Sequence, residues 1–312
     1  MNEMVAAGQR LVLIGGGTGF VGQAFSRELR SKGFAVKVIS RKPRMSHNDQ
    51  EAISWDSIKS NGLPDGTDVV VNLSGRNIGD PLSRWNQSYK DEVWSSRVAT
   101  TSLLSAAIKS SSNKPKLFIS SSAVGFYKPS DSAVYDETWK QKTNSFDKNW
   151  FMKMCSAWEE AAADCSVRHC IARFGVVLGR SGGLISNVYW PFYFGLGGSM
   201  GSGEHWLSWV HLDDAVRLLM HMINNESSNG VYNVVAPTAV PYKQLVSSLA
   251  TAMHRPALLN TPTSVVRLIF GRERADDLIL ASVHAAPKRA LNDGYQFQYP
   301  DIDSAIKHIV QN

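Results

Sequence analysis

Cysteine is scarce in this sequence, which argues against a disulfide-stabilised protein. Of the 312 residues only three are cysteine, Cys155, Cys165 and Cys170. This low, odd number suits a reducing compartment better than an oxidising one. None of them has a second cysteine or a histidine at metal-binding spacing, so we predict no metal site.

Charge of one sign and long apolar runs are also scarce. The net charge is +6, from 33 basic and 27 acidic residues, without an extended basic run, so we predict no nucleic-acid partner. The N-terminal ten residues lack a signal-peptide core. The apolar stretch 182–201 is broken by Pro191 and by six glycines, whereas a membrane span needs about 20 unbroken apolar residues. We predict an intracellular protein with no membrane partner, cytoplasmic by default, and leave an organelle open.

Short apolar strands and amphipathic helices alternate in the first half of the chain. We predict strands at 10–16, 35–40, 68–75, 116–122 and 169–179, with helices at about 20–31 and 86–111. Such alternation indicates an α/β fold, a doubly wound parallel sheet of the Rossmann type with crossover helices.

The pattern changes after about residue 180. We predict a dinucleotide-binding domain over 10–180 and a smaller C-terminal substrate lobe over 181–312, partly interwoven with the sheet. In the lobe we expect a helix capped by Asp213. Further elements are expected there as a strand at 230–236 and helices at 241–254, 261–282 and 301–310.

The strongest motif is GGGTGFVG, which lies between the first strand and the first helix. Its glycines fit the dinucleotide fingerprint in two spacings, one starting at Gly17 and one at Gly16. Glycine permits the tight turn and lets the backbone approach a pyrophosphate, which the helix N-terminus then binds. Because the strand and the helix are both in place, we predict a cofactor site formed by Gly16, Gly17, Thr18, Gly19, Phe20, Val21 and Gly22.

The end of the second strand indicates which dinucleotide binds. NAD enzymes usually have an acidic residue there, which accepts hydrogen bonds from the adenosine ribose. This sequence has Ser40, Arg41 and Lys42 instead. A guanidinium with a neighbouring hydroxyl suits a 2′-phosphate, so Ser40 and Arg41 favour NADP(H) over NAD(H).

The chain also carries an ordered series of motifs, GGGTGFVG, VVNLSGRNI, SRVATTSLL, FISSSAVGFY, WEEAAA, ARFGVVLGRSGG, GLGGSMGSGEHWLSWVHLDDAV and PALLNTP. Together they resemble the extended, epimerase-family branch of the short-chain dehydrogenase/reductases, and within it the atypical subgroup 39U. The likeness runs from about residue 10 to about residue 310. The resemblance implies an NADP-dependent oxidoreductase with a small-molecule substrate in the C-terminal lobe.

The resemblance also implies further cofactor contacts. Leu73 and Ser74 match the loop that passes the adenine and ribose, and Val177 matches a segment that packs on the nicotinamide. Glu92 and Arg97 match cofactor-contacting positions on a helix. For Arg97 we leave two alternatives open, a phosphate or ribose contact and a surface arginine.

The usual catalytic pair of this family is missing. Its members use Tyr-x-x-x-Lys on one helical face, where the lysine holds the nicotinamide ribose and lowers the pKa of the tyrosine. In WFMKMCSAWEEAAA the tyrosine position falls on Phe151 and the lysine position on Cys155. Lys153 is about 200° away around the helix axis, so nothing in this stripe can act as the usual proton donor.

Two other residues are candidates for catalysis. Ser122 matches the family's serine or threonine position, and Tyr127 follows five residues later. Two functions therefore stay open. The first is an NADP(H)-dependent oxidoreductase or epimerase with unusual acid–base groups; the second is a catalytically silent NADP(H)-binding scaffold or redox sensor. The aromatic segment 182–209 either covers a ligand, packs in the core or forms a homodimer contact.

Overall fold

The strands of the protein are short, and most of them are parallel. The computed structural model describes residues 9–41, 51–80, 82–140 and 149–311. In chain order the strands are β1 (Leu11–Gly15), β2 (Ala35–Ser40), β3 (Glu51–Ser54), β4 (Thr67–Asn72), β5 (Leu117–Ala123), β6 (Val134–Tyr135), β7 (His169–Phe174), β8 (Val176–Gly179), β9 (Trp206–Leu207), β10 (Trp209–His211), β11 (Gly230–Val234), β12 (Val240–Pro241) and β13 (His284–Ala285).

Seven strands form one sheet in the order β11-β7-β5-β4-β1-β2-β3, and all neighbouring pairs are parallel. The chain moves outward from β1 to β3 and then returns to the other side of β1 with β4. The strand order therefore reverses between β1 and β4, which is the position where open α/β sheets bind ligands. The predicted doubly wound fold is confirmed.

The helices are α1 (Phe20–Ser31), α2 (Trp55–Asn61), α3 (Gln87–Trp94), α4 (Thr100–Ser110), α5 (Trp150–Ala163), α6 (Gly183–Tyr193), α7 (Leu212–Asn224), α8 (Tyr242–Met253), α9 (Thr263–Phe270), α10 (Arg272–Arg274), α11 (Lys288–Asn292) and α12 (Ile302–Gln311). A π-helical turn, Ser95–Ala99, joins α3 to α4, and a second one, Ala275–Ile279, follows α10. No helix in the described ranges is long and apolar enough to cross a membrane.

Helices cover both faces of the sheet, so its central strands are apolar throughout. In β1, Val12 and Ile14 pack in the core shared with α1 and α7, whereas Leu13 packs in the core shared with α2, α4 and α5. The helix α1 turns one apolar stripe to the sheet, because Phe25 and Leu29 lie four residues apart. This packing fixes the loops at the carboxyl edge of the sheet.

The C-terminal half contributes both to the sheet and to a separate core. The strand β11 and the helix α7 belong to the sheet layer. The second core includes Trp209, Leu245 and Ile306 from β10, α8 and α12. Residues after 181 therefore complete the Rossmann sheet as well as forming the lobe beside it.

Several predicted elements differ from the structure. The strand expected at 169–179 divides at Gly175, after which β8 leaves the sheet and pairs with β10. Only glycine fits at the division, because a Cβ there would lie 2.5 Å from the carbonyl oxygen of Ser208. The helix expected at 261–282 is interrupted at Gly271, whose φ is +80°. Asp213 does not cap α7: the N-cap is His211, whose Nδ1 accepts from the amide of Asp213 at 3.0 Å.

Candidate functional site

The turn between β1 and α1 has no room for a side chain at Gly16, Gly17 or Gly22. Gly16 has φ +76°, and a Cβ there would lie 2.6 Å from the carbonyl carbon of Leu73. A Cβ at Gly17 would lie 2.7 Å from Val38, and one at Gly22 would overlap the carbonyl oxygen of Gly16. The turn is held by a hydrogen bond of 3.0 Å from the Gly19 amide to the Gly16 carbonyl. The backbone of this turn can therefore approach a flat or anionic group closely.

The start of α1 is open to an anion. Its N-cap, Gly19, has no side chain to bond the first amides of the helix. Thr18 and Gly19 are exposed, and Phe20 and Val21 are half-buried. Amides at a bare helix N-terminus bind negative groups such as a pyrophosphate. All seven residues predicted from the glycine motif lie together in this turn.

The loop after β4 runs beside the glycine turn. The Leu73 amide donates to the carbonyl of Gly15 at 2.8 Å. Asn72 holds the next residue, because its Oδ1 accepts from the Ser74 amide at 3.1 Å. The hydroxyl of Ser74 is buried and has no hydrogen-bond partner within the described residues. A buried polar atom without a partner is costly, so this hydroxyl is suited to a bound group.

Arg97 reaches this loop from the π-helical turn between α3 and α4. A Cβ at Gly75 would lie 3.1 Å from the Arg97 guanidinium carbon, so glycine leaves the space that this side chain fills. Its Nη1 donates to the Val93 carbonyl at 3.2 Å, and the guanidinium lies 5.4 Å from the Trp158 ring centroid. Burial lowers the pKa of Arg97 to about 10. Of the two predicted alternatives, this geometry favours a site residue over a surface arginine.

Glu92 and Arg41 are more exposed than Arg97. The Glu92 carboxylate is 3.5 Å from Nε of Arg76, and 58% of its side-chain surface is exposed. Ser40 ends β2, and Arg41 is exposed directly after it. The strand β2 is the neighbour of β1 in the sheet, so both residues lie next to the glycine turn. Lys42 is outside the described residues.

Val177 and Phe20 connect the turn to the C-terminal lobe. Val177 lies on β8 beside Val210 of β10. The ring of Phe20 packs against the glycines that follow β8, because a Cβ at Gly182 would lie 2.5 Å from it and one at Gly179 would lie 2.8 Å from it. These glycines let the first residue of α1 touch the chain where it enters the lobe.

Ser122 ends its strand inside a buried polar network. Its Oγ donates to Oε1 of Glu159 at 2.7 Å. Arg173 donates from Nε and Nη2 to the two carboxylate oxygens, each at 2.7 Å. Burial alone would lower the pKa of Arg173, but Glu159 and Tyr127 outweigh it and raise that pKa. The proton of Ser122 is therefore committed to a carboxylate, which itself is neutralised by a bidentate guanidinium.

Tyr127 is part of the same network and is fully buried. Its hydroxyl accepts from Nη1 of Arg173 at 2.9 Å and donates to Oδ1 of Asn233 at 2.9 Å. Burial raises the pKa of Tyr127 despite the nearby arginine. A buried phenol with its hydrogen bonds already made suits a structural role better than that of a proton donor.

The helix α5 presents an apolar face where the usual catalytic pair would be. Phe151 is 2% exposed, and its ring stacks on Trp85 with a centroid distance of 5.3 Å. Cys155 is fully buried, and burial raises its pKa to about 12. Lys153 is exposed, as its helical phase predicts. The thiol stays protonated near neutral pH, so neither residue offers a charge or an acidic proton.

Two charged residues of the buried network around Ser122 stand out in the sequence, although they belong to no known motif spacing. Glu159 lies one helical turn after Cys155, within WEEAAA, and Arg173 lies in ARFG on the neighbouring strand β7. Strand β7 pairs with β5, and Arg173 lies directly beside Ser122 in that register. A carboxylate and a guanidinium inside apolar runs indicate a buried pair, but its partners became visible only with the sheet order.

Two family profiles match the chain. The NAD dependent epimerase/dehydratase family matches residues 12–235, and a domain of unknown function, DUF1731, matches residues 261–309. The human epimerase family protein SDR39U1 is 38% identical over 301 residues, which cover 96% of this chain and 99% of the human one. An epimerase family protein of Staphylococcus saprophyticus is 32% identical over 307 residues, covering 96% and 98% of the two chains.

A solved structure is similar over the same length. The crystal structure of human SDR39U1, isoform 2, with NADPH has a TM-score of 0.89 and 37% identity, covering 97% of this chain and 99% of the human one. The resemblance to subgroup 39U expected from the motifs is thus confirmed. This chain belongs to the NAD dependent epimerase/dehydratase family, in the extended branch of the short-chain dehydrogenases.

Proposed function

We propose that this protein binds NADP(H) at the carboxyl edge of its sheet and acts as an oxidoreductase of the epimerase family. The observation that carries the proposal is the turn from Gly16 to Gly22, whose glycines exclude side chains and leave the first amides of α1 free. The buried Ser74 hydroxyl beside it needs a partner. The human relative with NADPH supports the same cofactor.

In this proposal the pyrophosphate lies on the glycine turn and the adenosine lies over β2. Arg41 then binds the 2′-phosphate, with Ser40 beside it, because the end of β2 adjoins the turn. Leu73 and Ser74 line the other side of the cofactor, and Gly75 lets Arg97 approach it. Glu92 stays a proposed cofactor contact on α3, and Val177 stays a proposed contact to the nicotinamide.

The nicotinamide, when bound, supplies or accepts a hydride. The chain's own contribution to that step is the positioning of the cofactor and substrate. Phe151 and Trp85 form an apolar wall, and Ser122 offers oxygen lone pairs while its proton bonds to Glu159. Tyr127 supports Arg173 in this arrangement and does not donate to a substrate. A proton for a substrate oxygen would come from solvent or from the substrate itself.

Exchanging Arg41 for aspartate tests the cofactor assignment. A carboxylate repels the 2′-phosphate, so we expect Arg41→Asp to weaken NADPH binding by at least about tenfold and NADH binding much less. Fluorescence titration of the reduced cofactors measures both. The control is Arg27→Asp, an equal charge change at an exposed position on α1. Equal losses for NADPH and NADH would refute the 2′-phosphate assignment.

A second candidate function is a catalytically silent NADP(H)-binding scaffold or redox sensor. The apolar pair Phe151 and Cys155 favours it, as does the bond between Ser122 and Glu159. A turnover screen with carbonyl compounds and nucleotide sugars separates the candidates. If the protein binds NADPH tightly but none of the compounds causes NADPH oxidation, the scaffold is supported. If any one compound causes NADPH oxidation, the enzyme is supported. Activity gained in the double variant Phe151→Tyr, Cys155→Lys would show that the pocket still accepts a reactive substrate.

A further inference from the structure

The sheet order shows which half of the cofactor passes Arg97. Under the proposed function, the pyrophosphate lies at β1 and the adenosine lies toward β2, where Arg41 is. The remaining half must extend to the other side of β1, over β4 and β5. Gly75 and the Arg97 guanidinium lie after β4, and Ser122 lies at the end of β5. The sheet order therefore puts the loop after β4, which the resemblance placed beside the adenine and ribose, on the nicotinamide side of β1 together with Arg97.

The Arg97 side chain is half-buried, and its guanidinium has no counter-charge among the described residues. Nη1 donates to the Val93 carbonyl at 3.2 Å and to Ser96 Oγ at 3.5 Å, which are both neutral. One face lies 5.4 Å from the ring centroid of Trp158. No carboxylate in the described parts of the chain forms an ion pair with it; the ionisable groups that act on it are Cys155 and Tyr89. A cation that is partly buried and has no carboxylate partner is costly unless a ligand compensates it.

The Arg97 guanidinium also lies near Cys155, the position where the family's catalytic pair has its lysine. Trp158, which the guanidinium contacts, is three residues after Cys155 and therefore on the same side of α5. The π-helical turn that carries Arg97 packs directly against α5. Such turns insert one extra residue into a helix and re-aim its side chains, often at functional sites.

We infer that Arg97 takes over, from a neighbouring helix, the place and charge of the lysine that α5 lacks, and thereby makes the site select the reduced nicotinamide. The inference rests on the proposed function. The oxidised nicotinamide ring carries a positive charge and the reduced ring is neutral, so a fixed guanidinium nearby repels only the oxidised form. The guanidinium still donates hydrogen bonds to the ribose hydroxyls in both forms.

Binding of NADPH and NADP⁺ to the full chain tests this inference. We expect the wild type to bind NADPH at least about tenfold more tightly than NADP⁺. In Arg97→Met that ratio should fall to near one, because the charge is lost while an apolar side chain of similar length remains. Arg97→Lys, which keeps the charge, should retain most of the preference. Fluorescence titration measures NADPH, and calorimetry measures NADP⁺.

Lys153→Met is the matched control, because it removes a positive charge from α5 at an exposed position two residues from Cys155. It should leave the ratio unchanged. If Arg97→Met weakens both cofactors equally, the guanidinium contacts a phosphate and the inference is wrong. A wild-type ratio near one also overturns it, although the proposed function then stands. If the wild type binds neither cofactor, both fail together. Thermal unfolding establishes that each variant is folded.

Discussion

At the scale of single residues, a comparison of Gly16 with Gly33 distinguishes two reasons for a glycine: the lack of space for a Cβ and a positive φ. Gly16 and Gly33 both have positive φ, +76° and +82°, but a Cβ at Gly33 meets nothing within 4 Å. We expect Gly33→Ala to cost about 1–2 kcal/mol of unfolding free energy. Gly16→Ala should cost about 1–3 kcal/mol more, because its Cβ would overlap the chain at Leu73. Urea unfolding measures both.

The same pair of variants tests the cofactor site. NADPH binding should be lost in Gly16→Ala and kept in Gly33→Ala, because only Gly16 lies in the turn. Unchanged binding in Gly16→Ala would mean that the turn does not carry the pyrophosphate.

The Glu159–Arg173 pair is a buried ion pair. The side chains are 10% and 4% exposed, and the bond is bidentate. Arg173→Met should destabilise the protein by about 3–5 kcal/mol, because Glu159 would be left buried without its partner. Lys243→Met breaks the exposed pair with Glu204 and should cost about 0–1 kcal/mol. Urea unfolding measures both variants. If they lose similar amounts of unfolding free energy, burial does not make the Glu159–Arg173 pair more important than the exposed pair.

Local motifs predicted the residues of the glycine turn well, and non-local contacts escaped prediction. Glycine spacing identifies a turn because its requirement is local, namely the absence of a Cβ. The partners of Ser122 lie 37 and 51 residues further along the chain, so no spacing rule connects them. The sequence makes Tyr127 a candidate proton donor. Only the fold shows that its hydroxyl is already hydrogen-bonded to Arg173 and Asn233.

At the scale of elements, a short helix of the C-terminal lobe fastens the loop that follows β4. Arg274 of α10 is fully buried and donates to the carbonyls of Asp80 and Ser83 at 3.0 and 3.1 Å. In Arg274→Met these carbonyls lose their donor, at about 1–3 kcal/mol for each. We expect faster amide hydrogen exchange at residues 78–80 and 82–85, while α1 keeps its protection.

Arg272→Met is the control for that variant, since Arg272 belongs to the same helix and its side chain is 86% exposed. Its exchange pattern should match the wild type. A uniform increase of exchange across the sheet in Arg274→Met would indicate global destabilisation and would contradict a local fastening role.

The elements that the sequence predicted share one property. The strands β1, β2, β4 and β5 each contain a run of apolar residues, and the helix α1 has one apolar stripe, so these patterns were visible in the sequence. The strand β3 and the helix α2 were missed, because they are short and mix polar with apolar residues. The split at Gly175 was missed because β10, the strand with which β8 pairs, is distant in the sequence.

At the scale of the whole molecule, buried thiols make stability depend on alkaline pH. Burial raises the pKa of Cys155 and of Cys170 from 9.0 to about 12. As pH rises the unfolded chain loses these protons first, so this contribution is intact below about pH 9 and is lost between about 9 and 12. Each thiol contributes a slope of about 1.4 kcal/mol per pH unit.

Cys155→Ala tests this dependence. The variant has a cavity and should be less stable at every pH, but its loss of stability between pH 9 and pH 11 should be smaller than that of the wild type. Urea unfolding at three pH values measures the slopes. Identical slopes would show that Cys155 ionises in the folded protein as easily as in the unfolded chain.

The homodimer remains a prediction, and α6 offers a place to test it. Within the aromatic segment 182–209, Phe192 packs in the core, whereas Trp190 on α6 and Phe194 directly after it are 60% and 67% exposed. If a second copy covers them, sedimentation of the wild type should show a dimer, and Trp190→Asp should shift it toward monomer. A monomeric wild type at high concentration would end this prediction.

The contact between Phe20 and the glycines after β8 joins the helix α1 to the segment that leads into the C-terminal lobe. The Phe20 ring belongs to the helix whose tip meets the cofactor, and it rests where the chain departs for the lobe. A shift of that helix end would therefore move a ring that is in direct contact with the residues entering the lobe.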